Sequence, residues 1–207
     1  MKRLIIDLSE NNGVINYRKV ADAGVTNAIL KVCPGVGKLD SKLLVNAHGL
    51  SNVNIDLSYY HVIHPDTREG TIEQDAAAEA NHFIRSITGL PKPKRLWVDI
   101  EDWDSKGTDS PLNKVDFQTW LSTYMATLDA ACLDAGIYTY ADYFNRHLPS
   151  NHVFGGRKLW IANYGNVDTP PLPVGFDSYY MWQYTDKGKI DGISTAVDIS
   201  VLNGDIK

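Results

Sequence analysis

The order of predicted elements indicates an α/β fold, an irregular TIM-like barrel with five strand–helix units followed by three strands. Apolar runs of strand length alternate with helical patterns over roughly the first two thirds of the 207-residue chain, which favours a parallel sheet. The predicted strands number eight, as in a closed barrel of this type. No repeat, low-complexity segment or linker is visible, so residues 1–207 are predicted to form a single domain. A doubly wound sheet is the alternative arrangement.

The first three strand–helix units are delimited by capping and turn residues. Asn16 is a candidate N-cap and Gly24 a stop for the first helix, and Asp40 is a candidate cap for the second. Thr71 followed by Gln74 has the spacing of a capping box and opens the third helix. The predicted strands are residues 3–8, 28–32 and 54–62, and the predicted helices are residues 16–23, about 40–50 and 71–87.

The remaining elements complete the barrel. Asn113 begins the longest helix, Gly136 ends it, and a short helix through His147 follows the fifth strand. Apolar positions recur near helical spacing along the long helix: Val115, Phe117, Leu121, Tyr124, Met125, Leu128 and Cys132. The predicted strands are residues 96–100, 137–140, 158–164, 179–185 and 196–201, and loops rich in Pro, Gly and Asp join the last three.

Composition and spacing argue against several classes of protein. The net charge is −5 and no Lys/Arg run occurs, which is unlike a nucleic-acid-binding protein. No apolar run is long enough to cross a membrane, and Asp7 cuts short the run that a signal peptide would need. Two cysteines, Cys33 and Cys132, are too few for a disulfide framework and are interpreted as buried thiols. His61 and His64 project apart on a strand end, so no metal or other cofactor is predicted.

The fourth strand carries two acids where a packed core would have apolar residues. Side chains alternate along a strand, so Trp97, Asp99 and Glu101 share one face while Val98 and Ile100 share the other. A buried charge needs a partner or a function. Residues two apart on a strand have Cα atoms roughly 6.5–7 Å apart, close enough for the ionisation of one carboxyl to raise the pKa of the other.

Four carboxylates are predicted to meet at one end of the barrel. Functional residues of such barrels lie at the carboxyl ends of strands, and Asp7, Asp99, Glu101 and Asp198 fall at such ends or near them. Closure of the barrel brings the last strand, with Asp198, beside the first. The aromatic residues predicted around this mouth are Tyr60, Tyr138, Tyr164 and Trp182. An acidic cleft with aromatic walls is typical of a glycoside hydrolase.

The whole chain resembles the family 25 glycoside hydrolases, the lysozymes that act as N-acetylmuramidases in phages, bacteria and some fungi. The stretches that carry the resemblance follow the family's order: Ile6-Asp7-Leu8-Ser9, Trp97-Val98-Asp99-Ile100-Glu101, Gly136-Ile137-Tyr138-Thr139, Leu159-Trp160-Ile161-Ala162-Asn163-Tyr164, Trp182-Gln183-Tyr184-Thr185 and Val197-Asp198-Ile199. The family fold is an irregular barrel with five strand–helix units and three further strands. The resemblance therefore implies a single catalytic barrel that cleaves the β-1,4 bond between N-acetylmuramic acid and N-acetylglucosamine in peptidoglycan.

The resemblance also implies roles for individual residues. Glu101 matches the family's proton donor, and Asp7 and Asp198 match its two flanking acids. Asp99 matches the paired acid, which acts either as a nucleophile or by orienting the substrate's N-acetyl group for internal attack. We favour the orienting role, because a neighbour two residues along one strand has a fixed, short offset from the acid. Either route implies net retention at the anomeric carbon.

Substrate contacts are expected from residues near the mouth. The predicted substrate-binding residues are Lys31, Tyr60, His61, Tyr138, Tyr164, Trp182 and Gln183. The family's segment after the second strand is a Lys followed by Ala-Thr-Glu-Gly, and here only Lys31 and a later Gly35 are kept. Asn12 also replaces a common Gln before Gly13. Neither change removes a catalytic carboxylate, but both alter positions that would contact sugar.

Partners and location follow from the same resemblance. The expected partner is bacterial peptidoglycan, bound by a monomer without nucleic acid or membrane insertion. Without a signal peptide, the protein is expected in a host cytoplasm and then released to the wall by lysis, as for a phage lysin, or secreted by a non-classical route. Two alternative functions stay open: a chitinase-type hydrolase, and a catalytically inactive wall-binding module, although the presence of all four acids speaks against the second.

Overall fold

The computed structural model describes residues 3–103 and 107–204. Among these residues, eight strands close a barrel in chain order. The strands are β1 (Leu4–Leu8), β2 (Val25–Pro34), β3 (Asp56–Val62), β4 (Leu96–Ile100), β5 (Ala135–Thr139), β6 (Leu159–Ala162), β7 (Met181–Gly188) and β8 (Val197–Leu202). The irregular α/β barrel is therefore confirmed, and the doubly wound sheet is not.

The helices lie in the first part of the chain, as predicted. They are α1 (Tyr17–Asp22), α2 (Leu43–Ser51), α3 (Ile72–Ile87), α4 (Lys114–Ala130) and α5 (Ala141–His147), and a 3-10 turn, Glu10–Asn12, follows β1. Each α-helix connects two successive strands, whereas β6, β7 and β8 are joined by loops. Within the described ranges, every helix is too short or too polar to cross a lipid bilayer.

Strand direction departs from a regular TIM barrel at β8. The pairs from β1–β2 through β6–β7 are parallel, but β8 runs antiparallel to both of its neighbours, β7 and β1. The ring closes by pairing Asp7 with Asp198 and Ile6 with Ile199. The amino-terminal end of β8, rather than its carboxyl-terminal end, therefore lies at the same mouth as the carboxyl ends of the parallel strands.

Alternation along β4 divides its side chains between two apolar regions. Val98 and Ile100 pack outward in the main core between the barrel and its helices, while Trp97 packs inside the barrel. Gly136 on β5 leaves room for this indole, since a Cβ there would lie 2.4 Å from a ring carbon of Trp97. The predicted division of faces is confirmed, and Asp99 consequently lies on the inner face above Trp97.

Most of the predicted helix starts are confirmed. The side chains of Asn16, Thr71 and Asn113 each accept hydrogen bonds from backbone N–H groups in the first turn of α1, α3 and α4, and Thr71 forms its capping box with Gln74. The prediction for Asp40 is wrong. Its carboxylate accepts from the backbone N–H groups of residues 10 and 42, so it ties the loop after β1 to this turn, and α2 begins only at Leu43.

The end of α4 also differs from the prediction. The helix stops at Ala130, and Cys132 takes a left-handed conformation with φ = 58° that turns the chain away from the helix axis. Cys132 is consequently exposed, so its interpretation as a buried helical thiol is wrong, whereas Cys33 is buried as predicted. Gly136 lies within β5, where its small size serves the packing of Trp97 rather than a helix stop.

Candidate active site

The carboxyl end of the barrel brings the four predicted acids into one small cavity. Asp7 comes from β1, Asp99 from β4, Glu101 from the residue after β4, and Asp198 from the start of β8. The cavity has a volume of about 60 Å³, and its lining is completed by Tyr60, Tyr138, Trp160 and Gln183. A single water molecule needs roughly 10–15 Å³ of such volume, so this inner pocket has room for a small substituent of a ligand.

A larger cavity at the opposite end of the barrel has different chemistry. It measures about 250 Å³, and Asp56, Lys94 and Arg95 lie along its lining. Asp56 forms an ion pair with Lys94 at 3.4 Å. Asp56 is the one carboxylate among the described residues that line this cavity, and it is paired with a lysine. The cavity therefore lacks the cluster of neighbouring acids found at the carboxyl end of the barrel.

Asp7 and Asp198 form a carboxyl pair at the mouth. Burial raises the pKa of Asp7 well above its ordinary value, and the neighbouring charge of Asp198 raises it further. Burial also raises the pKa of Asp198, but a hydrogen bond with Asp7 acts in the opposite direction. We assign the shared proton to Asp7, which is the more deeply buried of the two and is only 7% exposed. The pair then carries one negative charge, on Asp198.

Gln183 fixes the orientation of Asp7. Its Oε1 accepts hydrogen bonds from the hydroxyls of Tyr138 at 2.8 Å and Tyr164 at 2.7 Å, which determines that its NH₂ group faces Asp7. Nε2 donates to Oδ2 of Asp7 at 2.9 Å. Gln183 is thus a buried member of the cavity wall whose hydrogen bonds are largely made within the protein.

Asp99, on β4, is the most deeply buried of the four acids. It is 3% exposed, and its Oδ1 accepts no hydrogen bond from any residue that the structure describes. Burial raises its pKa well above the ordinary value, and the charge of Glu101 adds to the increase, while Lys31 opposes it. A buried acceptor without a donor is costly, so this oxygen is prepared for a hydrogen bond from a group that enters the cavity.

Glu101 is half-buried at the rim of the same cavity. Burial raises its pKa to about 7; Lys31 acts against this rise, and the negative charges of Asp102 and Asp198 add to it. An acid with a pKa close to neutrality can hold a proton at working pH and still release it. The charge of Glu101 raises the pKa of Asp99, so ionisation of Glu101 makes ionisation of Asp99 less favourable.

Aromatic side chains form the inner wall of the cavity. Trp160 lies at its centre, with ring centroids 4.4 Å from Tyr138 and 6.5 Å from Tyr60, both edge to face. Its Nε1 donates to the hydroxyl of Ser200 at 3.0 Å. Trp160 was not among the predicted site residues, although alternation along β6 indicates that it shares a face with Ala162. Tyr164 is 49% exposed at the rim.

Lys31 supplies the positive charge of the site. It lies on β2 beside Tyr60, its pairing partner on β3, and it is half-buried. Its charge lowers the pKa values of both Asp99 and Glu101. This side chain therefore partly compensates the acidic cluster, and it is placed to contact an anionic or carbonyl group of a ligand.

The prediction that His61 lines the pocket is wrong. His61 follows Tyr60 on β3, so it points outward, where it is fully buried between the barrel and α4. Nε2 contacts the carbonyl of Gly35 at 2.8 Å, which requires the proton on Nε2, and Nδ1 accepts from the hydroxyl of Tyr124 at 2.7 Å. Burial lowers the pKa of His61 to about 3, so it stays neutral and acts as a core residue.

The prediction for Trp182 is wrong for the same reason. Trp182 precedes Gln183 on β7, and the two side chains therefore lie on opposite faces of the strand. Its ring is 7% exposed and packs in the outer core, and its Nε1 donates to the carbonyl of Asn163 at 2.8 Å. It supports the segment that carries Tyr164 instead of lining the acidic cavity.

A closed α/β barrel with coupled carboxyls between aromatic walls defines the class of protein as a glycoside hydrolase. The family model described as glycosyl hydrolases family 25 matches residues 6–193. The chain belongs to this family, which confirms the resemblance seen in the sequence, and it is a glycoside hydrolase.

Individual relatives agree with this assignment. The chain is 30% identical over 204 residues to lysozyme M1 of Streptomyces globisporus, an alignment that covers 96% of this chain and 67% of that protein. It is 27% identical over 194 residues to the autolytic lysozyme of Clostridium acetobutylicum, with 94% and 54% covered. The chain thus spans between about half and two thirds of these two relatives.

The fold is similar to that of a solved lysozyme. The crystal structure of the bacterial lysozyme from Streptomyces coelicolor matches with a TM-score of 0.84 at 27% identity. The match covers 99% of this chain and 93% of the other. The barrel described here is therefore similar over nearly the full length of both chains.

Proposed function

We propose that this protein is a peptidoglycan hydrolase, an N-acetylmuramidase that cleaves the β-1,4 bond between N-acetylmuramic acid and N-acetylglucosamine with net retention. Membership of family 25 and the similarity to two proteins named as lysozymes support the substrate class. One observation carries the reaction: Glu101, with a pKa of about 7, and Asp99, with an unpartnered buried oxygen, line the same cavity from the end of β4 and the residue that follows it.

Glu101 is the general acid of the proposed reaction. It lies at the rim, where the glycosidic oxygen of a glycan laid across the mouth would pass, whereas Asp99 lies deeper. Its proton goes to the leaving oxygen as the bond to the anomeric carbon breaks. The resulting carboxylate then takes a proton from the attacking water in the second step.

Asp99 orients the substrate's N-acetyl group in the proposed reaction. The 60 Å³ pocket admits a substituent of about this size, and Oδ1 of Asp99 would accept the amide N–H. A hydrogen bond to the ionised form favours ionisation, so substrate binding would leave the pair's proton on Glu101. The acetyl oxygen can then attack the anomeric carbon, and water opens the intermediate with a second inversion. Direct attack by Asp99 is the competing route and has the same stereochemical outcome.

The remaining residues stabilise charge and hold the glycan. The single negative charge on the Asp7–Asp198 pair faces the positive charge that develops on the sugar ring in the transition state. Lys31, Tyr60, Tyr138 and Tyr164 are the proposed substrate contacts at the mouth. With this activity, the protein would act at the bacterial cell wall.

The bond that is cut tests this proposal. Purified walls are digested, the new reducing ends are reduced with borohydride, and the labelled sugars are identified by mass spectrometry. Reduced N-acetylmuramic acid is the expected product. Reduced N-acetylglucosamine would contradict the assignment of the bond, and wall lysis without new reducing ends would indicate an amidase or peptidase. Turnover of chitin oligomers with inert walls would favour a chitinase, and wall binding without any product would favour a binding module.

A further inference from the structure

A phenol outside the cavity holds the acid that follows Glu101. The hydroxyl of Tyr140 donates to Oδ2 of Asp102 at 2.6 Å. Ile100 pairs with Thr139 across β4 and β5. Glu101 and Tyr140, the residues that follow this pair, therefore leave the two strands from neighbouring positions. Both Tyr140 and Asp102 are only partly buried. Asp102 is next to Glu101 in the chain, and its negative charge raises the pKa of the proposed general acid.

We propose that Tyr140 is a positioning residue that holds the Asp102 carboxylate beside Glu101 and thereby sets the upper pH limit of activity. The inference rests on the proposed function, since it requires Glu101 to work in its protonated form. Tyr140 is not among the residues that line the acidic cavity, and its hydroxyl donates to Asp102 rather than to one of the four acids. We therefore expect its effect to pass mainly through Asp102.

The hydrogen bond has the chemistry that such a role needs. Burial raises the pKa of Tyr140, and the hydrogen bond to Asp102 raises it further. The phenol therefore stays protonated and remains a donor throughout the working range of the enzyme. Arg146 lies on the other side of the phenol, with its guanidinium 3.4 Å from the hydroxyl oxygen. A donor locked between a cation and a carboxylate can keep that carboxylate in one rotamer.

The other groups around Glu101 do not replace Asp102. Lys31, from β2, is the positive charge and lowers the pKa of Glu101, whereas Asp198, from β8, raises it. Asp99 lies below on the same strand, and Asp7 is the protonated member of its pair. The phenols that face the cavity are neutral, because burial raises their pKa values: Tyr60, Tyr138 and Tyr164. Asp102 is thus the charge that can be moved without disturbing the cavity wall.

The sign of the effect follows from like-charge repulsion. A carboxylate beside Glu101 disfavours its ionised form and raises its pKa. When Asp102 loses its charge, or is released to swing into solvent, the pKa of Glu101 falls. The acid then loses its proton at lower pH, and the basic limb of the rate profile moves down by roughly one pH unit, the low end of the effect of a close charge.

The chain offers a matched control one turn along α5. Tyr143 lies in α5, three residues after Tyr140, which precedes the helix, and its hydroxyl donates to Oδ1 of Asp109 at 2.6 Å, the same distance as in the first pair. Asp109 also accepts from His147 at 2.9 Å and does not appear among the charges that affect Glu101. Tyr143→Phe removes a hydrogen bond of the same length while it keeps the ring that packs against Tyr140 and leaves the hydrogen bond to Asp102 intact.

The experiment measures kcat/KM on soluble wall glycan across the pH range for the wild type, Tyr140→Phe, Asp102→Asn, the double variant and Tyr143→Phe. We expect both single variants to move the basic limb downward, the double variant to move it no further than Asp102→Asn, and Tyr143→Phe to leave it in place. Thermal unfolding of each variant identifies any that fails to fold. If Tyr140→Phe is one of these, an unmoved limb in Asp102→Asn would still overturn the inference.

Other outcomes would overturn the inference. An unmoved limb in Tyr140→Phe, additive shifts in the double variant, or an equal shift in Tyr143→Phe would each show that Tyr140 does not act through Asp102. Glu101→Gln is measured in parallel. If that variant stays active, the proposed function fails; if it is inactive while the limb does not move, only the role of Tyr140 fails.

Discussion

Asp7 lies directly opposite Asp198, at paired positions of the antiparallel strands β1 and β8. This pairing closes the barrel and at the same time joins two carboxyls that are 191 positions apart in the chain. Because like charges at such a distance cannot both be accommodated in a buried site, one proton is retained. The closure of the barrel therefore determines the net charge of the Asp7–Asp198 pair at the carboxyl end of the strands.

The first prediction concerns Asp99 at the end of β4 and Glu101, which follows the strand. Glu101→Gln removes the transferable proton and keeps the size of the side chain, so we expect the rate to fall by about 10² to 10⁴-fold or more while the fold is unchanged. Asp99→Asn should also be severe. Turnover of walls and thermal unfolding check both variants, with Glu69→Gln, an exposed carboxyl, as the matched control. Near-full activity of Glu101→Gln would contradict the assignment of Glu101 as the general acid.

The second prediction concerns stereochemistry. Both routes through Asp99 involve two inversions, so the first product should carry the β configuration. Proton NMR recorded within the first minutes of a digest distinguishes the anomers before they equilibrate in water. An α anomer as the first product would indicate a single inversion by a water molecule held between the carboxyls.

The third prediction separates the two roles of Asp99. If Asp99 orients the N-acetyl group, a glycan that lacks this group at the cleaved sugar should not be turned over, because the internal nucleophile is missing. If Asp99 attacks directly, such a glycan should still react, and an ester between Asp99 and the cleaved sugar should be detectable on the protein. Product analysis and intact-protein mass spectrometry decide between these results, with the N-acetylated glycan as the control.

The fourth prediction concerns Lys31. Its positive charge lowers the pKa of Glu101, so Lys31→Met should raise that pKa and move the basic limb of the pH profile upward. This is the direction opposite to that expected for Asp102→Asn. The value of KM should rise as well if Lys31 contacts the glycan. Lys114→Met, on the exposed start of α4, is the control, and a downward or absent shift in Lys31→Met would contradict the electrostatic role.

The fifth prediction concerns stability rather than catalysis. Glu79 is 2% exposed in α3, and burial raises its pKa to about 8. The folded state therefore binds its proton more tightly than the unfolded state, so its contribution to stability is present at low pH. That contribution is lost as the pH rises from about 4.3, the unfolded value, to about 8.

Replacement of Glu79 should flatten this dependence. In Glu79→Gln the side chain cannot ionise, and its amide oxygen can still accept from the backbone N–H of His64, as Glu79 does at 3.1 Å. We expect the variant to lose less unfolding free energy than the wild type between these pH values, by an amount on the order of a few kcal/mol. Urea unfolding at several pH values measures it, with exposed Glu73→Gln as the control. Parallel curves for Glu79→Gln and the wild type would contradict the prediction.

Local sequence determined much of the fold and the central chemistry. The capping residues Asn16, Thr71 and Asn113 begin their helices as predicted, because a cap depends on hydrogen bonds within one turn. The alternation of β4 placed Asp99 apart from Val98 and Ile100, because strand geometry fixes the relative faces of neighbouring residues. The motifs along the chain were also sufficient to identify its family.

The tertiary structure decided which of two faces points into the barrel and how the last strand runs. Alternation shows that Tyr60 and His61, or Trp182 and Gln183, cannot share a face, but packing against neighbouring strands and helices selects the inner member of each pair. Asp198 reaches the mouth from the beginning of β8, since that strand is antiparallel. Its direction depends on hydrogen bonds to strands far away in the chain, and no local pattern of residues encodes those bonds.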